Sequence, residues 1–288
     1  MPDLTPATES DLPEIESFLA CRAETSMFLR ANLRRHGLGD RRAPRALSLA
    51  LRHVGARLTG VFGLTNAGFA LVQAPEATPG DWQAFARWLA PRRLIGLNAE
   101  ADQANAALAA LALPDAAFAR RAAEPLFRLD LAGLRLDALA PGSIRRPRDR
   151  DRALLTRWFT AFEHEALGTP AASAAERGAD RADMAIDEDS VRLFEHQDIP
   201  LAMTAFNAEL PEIVQVGGVY TPPENRGRRA ARSAVALHLV EARRRGVRLA
   251  VLAAASEPAG RAYQALGFQR IGTMTLALLQ TPIGGADV

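Results

Sequence analysis

Residues 215–231 read Gln-Val-Gly-Gly-Val-Tyr-Thr-Pro-Pro-Glu-Asn-Arg-Gly-Arg-Arg-Ala-Ala and run into a long Ala/Leu/Val segment. The β-branched front predicts a strand, the two prolines a turn, and the alanine-rich continuation a helix. The first turn of a helix leaves backbone N–H groups unpaired, and the helix dipole adds partial positive charge, so such a start seats phosphate oxygens. Small residues let the backbone come close. Arg226, Arg228, Arg229 and Arg232 crowd the same entrance with forked cationic donors suited to phosphate. The chemistry this stretch allows is the holding of a pyrophosphate. Gly217 and Gly218 interrupt the strand and predict a bulge, or a place where a ligand or another backbone comes near.

Other chemistries find less support. The five histidines are scattered and the single cysteine, Cys21, cannot build a zinc site, so no metal constellation is expected. A lysine-dependent phosphate loop is excluded, because all 35 basic residues are arginine. Arg243-Arg244-Arg245 near the end of the long helix reads as a complement to its dipole. Without interleaved aromatics, nucleic-acid contact is not expected. The formal charge of +2 is too small to argue otherwise.

The elements that position the cradle follow from apolar periodicity. In the first half, Ser10 or Asp11 caps a helix carrying Ile15, Phe18 and Leu19, and a second apolar segment starts at Ser26. Residues 46–51, 58–64 and 68–72 read as an antiparallel meander. A helix from Pro79, a strand at 94–97, a helix at 101–113 and a strand at 125–131 complete that half. Residues 133–143, with Ala140-Pro141-Gly142, read as a linker. The second half repeats the order: a strand at 143–146, two helices, strands at 191–195, 200–210 and 212–221, the cradle and its helix to Arg245, a strand at 249–254, a helix at 258–266 and a final strand at 271–279. The 288 residues suffice for two domains, placed at residues 1–138 and 139–288. The expected class is α/β (an α+β mixed sheet), each domain a central, mostly antiparallel sheet flanked by helices. No apolar run approaches the roughly 20 residues of a membrane helix. The start lacks the pattern of a secretory signal and the lone Cys21 cannot pair internally, so a cytoplasmic setting is expected.

Two motifs carry a family resemblance. Arg226-Gly227-Arg228-Arg229-Ala230-Ala231 is similar to the cofactor signature of the GNAT superfamily of acetyl-CoA-dependent N-acetyltransferases: Arg or Gln, two free positions, Gly, one free position, then Gly or Ala. Arg229 stands at the glycine position. Downstream, residues 256–268 resemble the family's second cofactor motif, with Ala259, Tyr263, Gly267 and Phe268 in place and Ser256 where Asn is usual. The resemblance implies two tandem GNAT-like domains, the first a degenerate copy, because its equivalent stretch, residues 73–81, carries acids and prolines in place of arginines.

From that resemblance, acetyl-CoA is the expected acetyl donor, held by Val219, Tyr220 and Thr221 along the strand, by Arg226, Gly227, Arg228, Arg229, Ala230, Ala231 and Arg232 at the pyrophosphate, and by Ser256, Ala259 and Tyr263 beyond. The implied reaction is direct attack of a primary amine, small molecule or peptide, on the thioester. Tyr263 is the candidate general acid; read in isolation it is a core tyrosine on an amphipathic helix. Gln215 stands about where the family often has a catalytic Glu, so a base is sought at Glu212 or in a water that Gln215 orders; Glu209 and Glu224 read as solvated turn residues. His164 and Glu165 could line the acceptor pocket. The competing reading is a non-catalytic acyl-CoA-binding sensor or structural module. A homodimer is compatible with either.

Overall fold

The computed structural model describes residues 4–40, 42–137 and 139–285. Along the chain run β1 (Thr5–Pro6), α1 (Leu12–Ala20), α2 (Met27–His36), β2 (Leu47–Val54), β3 (Arg57–Thr65), β4 (Phe69–Gln73), α3 (Pro79–Leu89), β5 (Leu94–Glu100), α4 (Ala101–Leu111) and β6 (Phe118–Asp130). There follow β7 (Ser143–Arg145), α5 (Arg152–Leu167), α6 (Ala171–Asp187), β8 (Val191–His196), β9 (Ile199–Glu209), β10 (Ile213–Tyr220), α7 (Ala230–Arg244), β11 (Leu249–Ala253), α8 (Glu257–Gln264) and β12 (Gln269–Ile283). Among the described residues no helix is long and apolar enough to cross a membrane.

The chain divides into two compact units: unit 1 runs to Glu124 and resumes at Gly272, and unit 2 is Pro125–Ile271. In unit 1 the strand order is β1-β2-β3-β4-β5-β12; in unit 2 it is β6-β11-β10-β9-β8-β7. Each sheet is antiparallel except for one parallel pair, β4 with β5 and β10 with β11. The α/β class with mixed, mostly antiparallel sheets is therefore the observed one.

The boundary differs from the expected 138/139, a position that falls on Ala138, outside the described residues. Each half sends its last strand to the other unit. β6 pairs antiparallel with β11 of unit 2, from Leu126 opposite Ala253 to Asp130 opposite Leu249. β12 pairs antiparallel with β5 of unit 1, from Met274 opposite Glu100 to Leu278 opposite Gly96. The physical reason is that ladder hydrogen bonds use backbone groups every strand has, so element order does not say which sheet receives a terminal strand.

Both sheets are covered on both faces. In unit 1, Phe62, Val72, Trp82, Phe85, Leu97 and Ala107 fill one side, and Ile15, Leu19, Leu29, Leu49 and Val61 the other. In unit 2, Val214, Val216 and Leu252 pack with Val235, Leu239, Tyr263 and Phe268 from α7 and the α8 region. Val191, Leu193, Met203, Ala205 and Tyr220 pack on the opposite face against Leu155, Trp158, Phe159 and Ala182 from α5 and α6. Each fully buried large side chain contributes about 1.5–3 kcal/mol relative to exposure, so these faces fix strand register before any polar contact is counted.

Candidate functional site

The site is built on the parallel pair of unit 2. β10 and β11 are in register only over Ile213–Leu249, Val214–Ala250 and Gln215–Val251. β10 continues to Tyr220, and its other edge stays paired with β9 through two register shifts, at Gln215/Val216 and between Gly217 and Tyr220. Past Gln215 the strand therefore carries N–H and C=O groups on its β11 side with no registered partner in that strand. The two strands part like a V whose apex is Gln215.

Two glycines shape the bulge. A Cβ on Gly217 would lie 2.0 Å from Nδ2 of Asn207, so only glycine lets that amide fold over the strand. Gly218 has φ +56, in the left-handed region, and a Cβ there would meet Ala205 at 3.1 Å. Val214 and Val216 face α7, so strand alternation puts the side chain of Gln215 on the face covered by α5 and α6.

At the mouth of the V begins α7. Pro222 leads into a short 3-10 turn, Pro223–Asn225, and Arg229 is the N-cap with φ +64 and no side-chain cap bond. The first turn of α7 contains no acid. The hydroxyl of Ser233 donates to the Arg229 carbonyl at 3.0 Å and accepts from the Ala140 N–H at 2.8 Å, which pins this turn to the chain entering unit 2. The helix ends where Gly246 takes φ +96, after Arg243 and Arg244 in its last turn. The basic turn thus leads directly into the start of α7, and the glycine position of the signature is filled by an arginine held in the conformation glycine prefers.

The arginines of the basic turn differ in their partners. Arg226 gives Nη2 to Glu165 Oε2 at 2.5 Å and Nε to the Thr221 carbonyl at 3.0 Å. The other oxygen of Glu165 accepts from the Tyr220 hydroxyl at 3.1 Å, and the Tyr220 ring packs against Trp158. Burial and this carboxylate raise the Tyr220 pKa above its ordinary value. Glu165 therefore fastens the end of β10 and the start of the basic turn to α5. Arg228 and Gly227 are exposed, with open space around Gly227.

Ser256 caps α8, its hydroxyl accepting from the Ala259 N–H at 3.4 Å. That capping role explains why a serine stands there. Tyr263, one α8 turn below Ala259, is buried, edge-on to Phe268 with ring centroids 6.0 Å apart. Burial pushes its pKa up to about 12. Glu212 sits at the closed end of the V: its carbonyl accepts from Arg248 and Leu249 N–H groups, and it precedes Gln215 by three residues, about 10 Å of strand. Glu209 pairs with Arg245 and Glu224 is exposed in the loop. Gln215 and the bulge thus lie on β10 between the basic turn that precedes α7 and the closed end of the strand pair, where Glu212 sits.

The face under α5 and α6 holds His164 and Glu165, named from the sequence, and beside them Glu163, Thr169 and Arg181, which no sequence motif pointed to. Glu163, 3% exposed, accepts from the Thr169 hydroxyl at 2.9 Å and from Arg181 Nη1 at 2.8 Å. His164 Nδ1 lies 3.1 Å from the Thr169 carbonyl. A cavity of about 430 Å³ lies between α5 and α6, lined by Thr156, Thr160, His164 and Glu165 of α5 and Ala171 and Ala174 of α6. His238 of α7 stacks on Phe206 at 3.7 Å; burial, with Arg192 and Arg245 nearby, drives its pKa well below the ordinary value, so it is a neutral core side chain. Among the described residues no group of three or more His, Cys, Asp or Glu is placed to hold a metal ion.

An open, mostly antiparallel sheet with one parallel pair, occurring once in each of two units, is the architecture of the tandem GNAT fold, and the comparisons agree. The chain is similar over its whole length to a tandem GNAT protein from the clavulanic acid biosynthesis pathway, at 18% identity and TM-score 0.57, with all of both chains covered. It is similar to a GCN5-related N-acetyltransferase from Sphaerobacter thermophilus at 16% identity and TM-score 0.56, covering 99% of this chain and 97% of that one. A GNAT-family acetyltransferase from Colwellia psychrerythraea matches at 13% identity and TM-score 0.52, over 96% and 100%. No family model matches the sequence, and no curated protein does.

Proposed function

We propose that unit 2 is an acetyl-CoA-dependent N-acetyltransferase domain that moves an acetyl group to a primary amine. The observation that carries the reading is the end of β10–β11 pairing at Gln215–Val251 while β10 runs on to Tyr220, beside an α7 start that no side chain caps. Those residues fit the donor: strand N–H and C=O groups of Val219 to Thr221 suit an amide-bearing arm, and the turn from Gly227 to Arg232 suits a pyrophosphate.

When bound, acetyl-CoA supplies a thioester carbonyl for the amine to attack. The chain's own part is to place, polarise and protonate. In this reading, backbone N–H groups at the bulge receive the negative charge that develops on the carbonyl oxygen. Gln215 and Asn207 present neutral amides on the acceptor side and hold a water that carries away the amine proton, with Glu212, three residues before Gln215, as the alternative base. Tyr263, held protonated by burial, gives its proton to the leaving sulfur. A thiol titrates near 8.5, about 3–4 units below this tyrosine, so transfer accompanies cleavage of the C–S bond instead of preceding it. Unit 1 serves as a scaffold.

Thiol release from acetyl-CoA with a panel of amines, beside calorimetry for acetyl-CoA, tests the reading. Binding with turnover is expected. Binding without turnover across the panel favours a sensing module, a reading supported by the amide of Gln215 at the apex where a base is needed; no binding sinks both.

A further inference from the structure

We propose that Arg181 recognises an anionic group on the acceptor, so that the substrate of this site is an amine that also carries a carboxylate. The inference rests on the acetyltransferase reading of unit 2 and adds to it the chemical class of the acceptor.

Three observations converge on Arg181. The first is its anchoring: Nη1 is tied to the buried Glu163, and the guanidinium carbon lies 5.0 Å from the Phe159 ring centre and 5.2 Å from that of Phe162. A planar cation held by a carboxylate and two rings has little freedom left to lose when it binds. The second is its aim. Nη2 lies 3.7 Å from the point where a Cβ on Gly218 would project, which places the free side of the fork at the bulge, just beyond the apex of the V. Every other residue type at 218 would put a side chain against that arm. The third is charge. Glu163 faces two cations, Arg181 at 2.8 Å and Arg177 at 3.8 Å, so its single charge is outnumbered by the guanidiniums paired with it. An ion pair serving the fold alone needs one guanidinium.

A carboxylate matches the planar fork of Arg181, whose five donors are only partly used by Glu163. An acceptor seated this way brings its amino nitrogen to the strand beside Gln215. The nearby cation also disfavours the ammonium form, which raises the share of neutral nucleophile at a site whose apex is an amide. Acceptors with several positive charges and no anion are repelled. In the transfer, the nitrogen lone pair forms the C–N bond, the C–S bond breaks with its electron pair on sulfur, Tyr263 protonates the sulfur, and the proton lost by nitrogen leaves through water and restores Tyr263. The products are an N-acetylated amino acid and the free thiol.

The test uses the full chain, acetyl-CoA, and amino acids paired with their own primary amides. The free acids should give kcat/KM about 10- to 100-fold above the amides, carried by KM. In Arg181→Gln that preference should vanish: KM for the acid rises by the same factor, KM for the amide stays, and acetyl-CoA affinity by calorimetry is unchanged. Amides equal to acids in the wild type, or an Arg181→Gln variant that slows both alike, overturns the proposal. Should Arg181→Gln leave Glu163 stranded and fail to fold, the Glu163→Gln/Arg181→Gln pair removes both charges together and is read the same way. If acetyl-CoA binds but no amine releases thiol, the transferase reading fails by itself. The same acid and amide pairs are then titrated calorimetrically into the acetyl-CoA-loaded protein: acid preference upholds Arg181 as the anion site, and binding of neither overturns it.

Discussion

The passage from a parallel-paired strand into a helix occurs twice in each unit, and the first of the two is β4–α3 in unit 1 and β10–α7 in unit 2. In unit 1, α3 starts at a capping box: Asp81 Oδ2 accepts from the Thr78 N–H at 2.7 Å and its hydroxyl at 2.6 Å, and Arg52 Nε lies 2.8 Å away. A carboxylate of the chain itself sits at that helix start, and its charge is already matched. The strand exit is closed too, since the Ala74 N–H donates to Gln103 Oε1 at 2.6 Å. In unit 2, α7 starts at Arg229 with no side-chain cap, and β10 leaves its last residues unpaired with β11. The third residue past the N-cap is Gln103 in α4 and Ala259 in α8; the seventh is Ala107 and Tyr263. One architecture is thus closed in one copy and open in the other by a few side chains, which teaches that the fold supplies the place for a site and local filling decides whether it is one.

The contrast can be broken at its sharpest point with Tyr263→Phe, which makes unit 2 resemble unit 1 in lacking a hydroxyl on this helix. Turnover should fall by about 10²-fold or more while calorimetric affinity for acetyl-CoA holds; equal activity removes Tyr263 as general acid. Asp81→Ala attacks the closed copy. It strands Arg52, 13% exposed, so urea unfolding should show a loss of about 3–5 kcal/mol, with acetyl-CoA affinity of the folded protein unchanged.

The same carboxylate sets a pH dependence. Burial alone would raise the pKa of Asp81, but the Thr78 hydroxyl and N–H and the Arg52 guanidinium outweigh it, and the net value is lowered below 3.8. A depressed folded pKa means a contribution fully present above the ordinary carboxylate range and lost as pH falls through the folded value. Stability measured from pH 6 down to pH 2 should drop at the acid end, and Asp81→Asn should flatten part of that drop.

Ala259→Gln transplants the closing side chain into unit 2. Acetyl-CoA affinity should weaken by about 10- to 100-fold, the scale of one or two lost or blocked polar contacts, with little change in the melting temperature. Unaltered affinity would mean that Gln103 is not what closes unit 1. The smallest effect is expected from Arg229→Gly, which places glycine where φ is +64: relief of the left-handed strain should stabilise by about 0.5–1 kcal/mol, read as a slightly higher unfolding midpoint.

Much of this fold is legible in the sequence, because the signals are local. The double proline before Glu224, the alanine-rich run after Arg229 and the glycines at 246 and 267 mark element ends through steric rules that act within a few residues. The α8 motif from Ser256 to Phe268 is equally local. Less legible is what each arginine of the cradle does. Arg226 reads as a phosphate ligand beside Arg228, and its pairing with Glu165, 61 residues away, leaves no signal in the sequence. Glu212 is near Gln215 in sequence, and strand rise sets the two backbones about 10 Å apart, so where its carboxylate reaches is decided by the fold.

By itself, the sequence determined the class of fold, the two-copy order of elements and the contrast between a basic and an acidic helix entrance, since periodicity, turn chemistry and local charge are carried by neighbouring residues. Only the tertiary structure decided that the last strands change places, that Gln103 and Asp81 close one copy, and that Glu163 presents Arg181 to the bulge at Gly218. Those outcomes depend on backbone pairing open to any strand and on contacts between side chains distant along the chain, and such contacts leave no spacing to read.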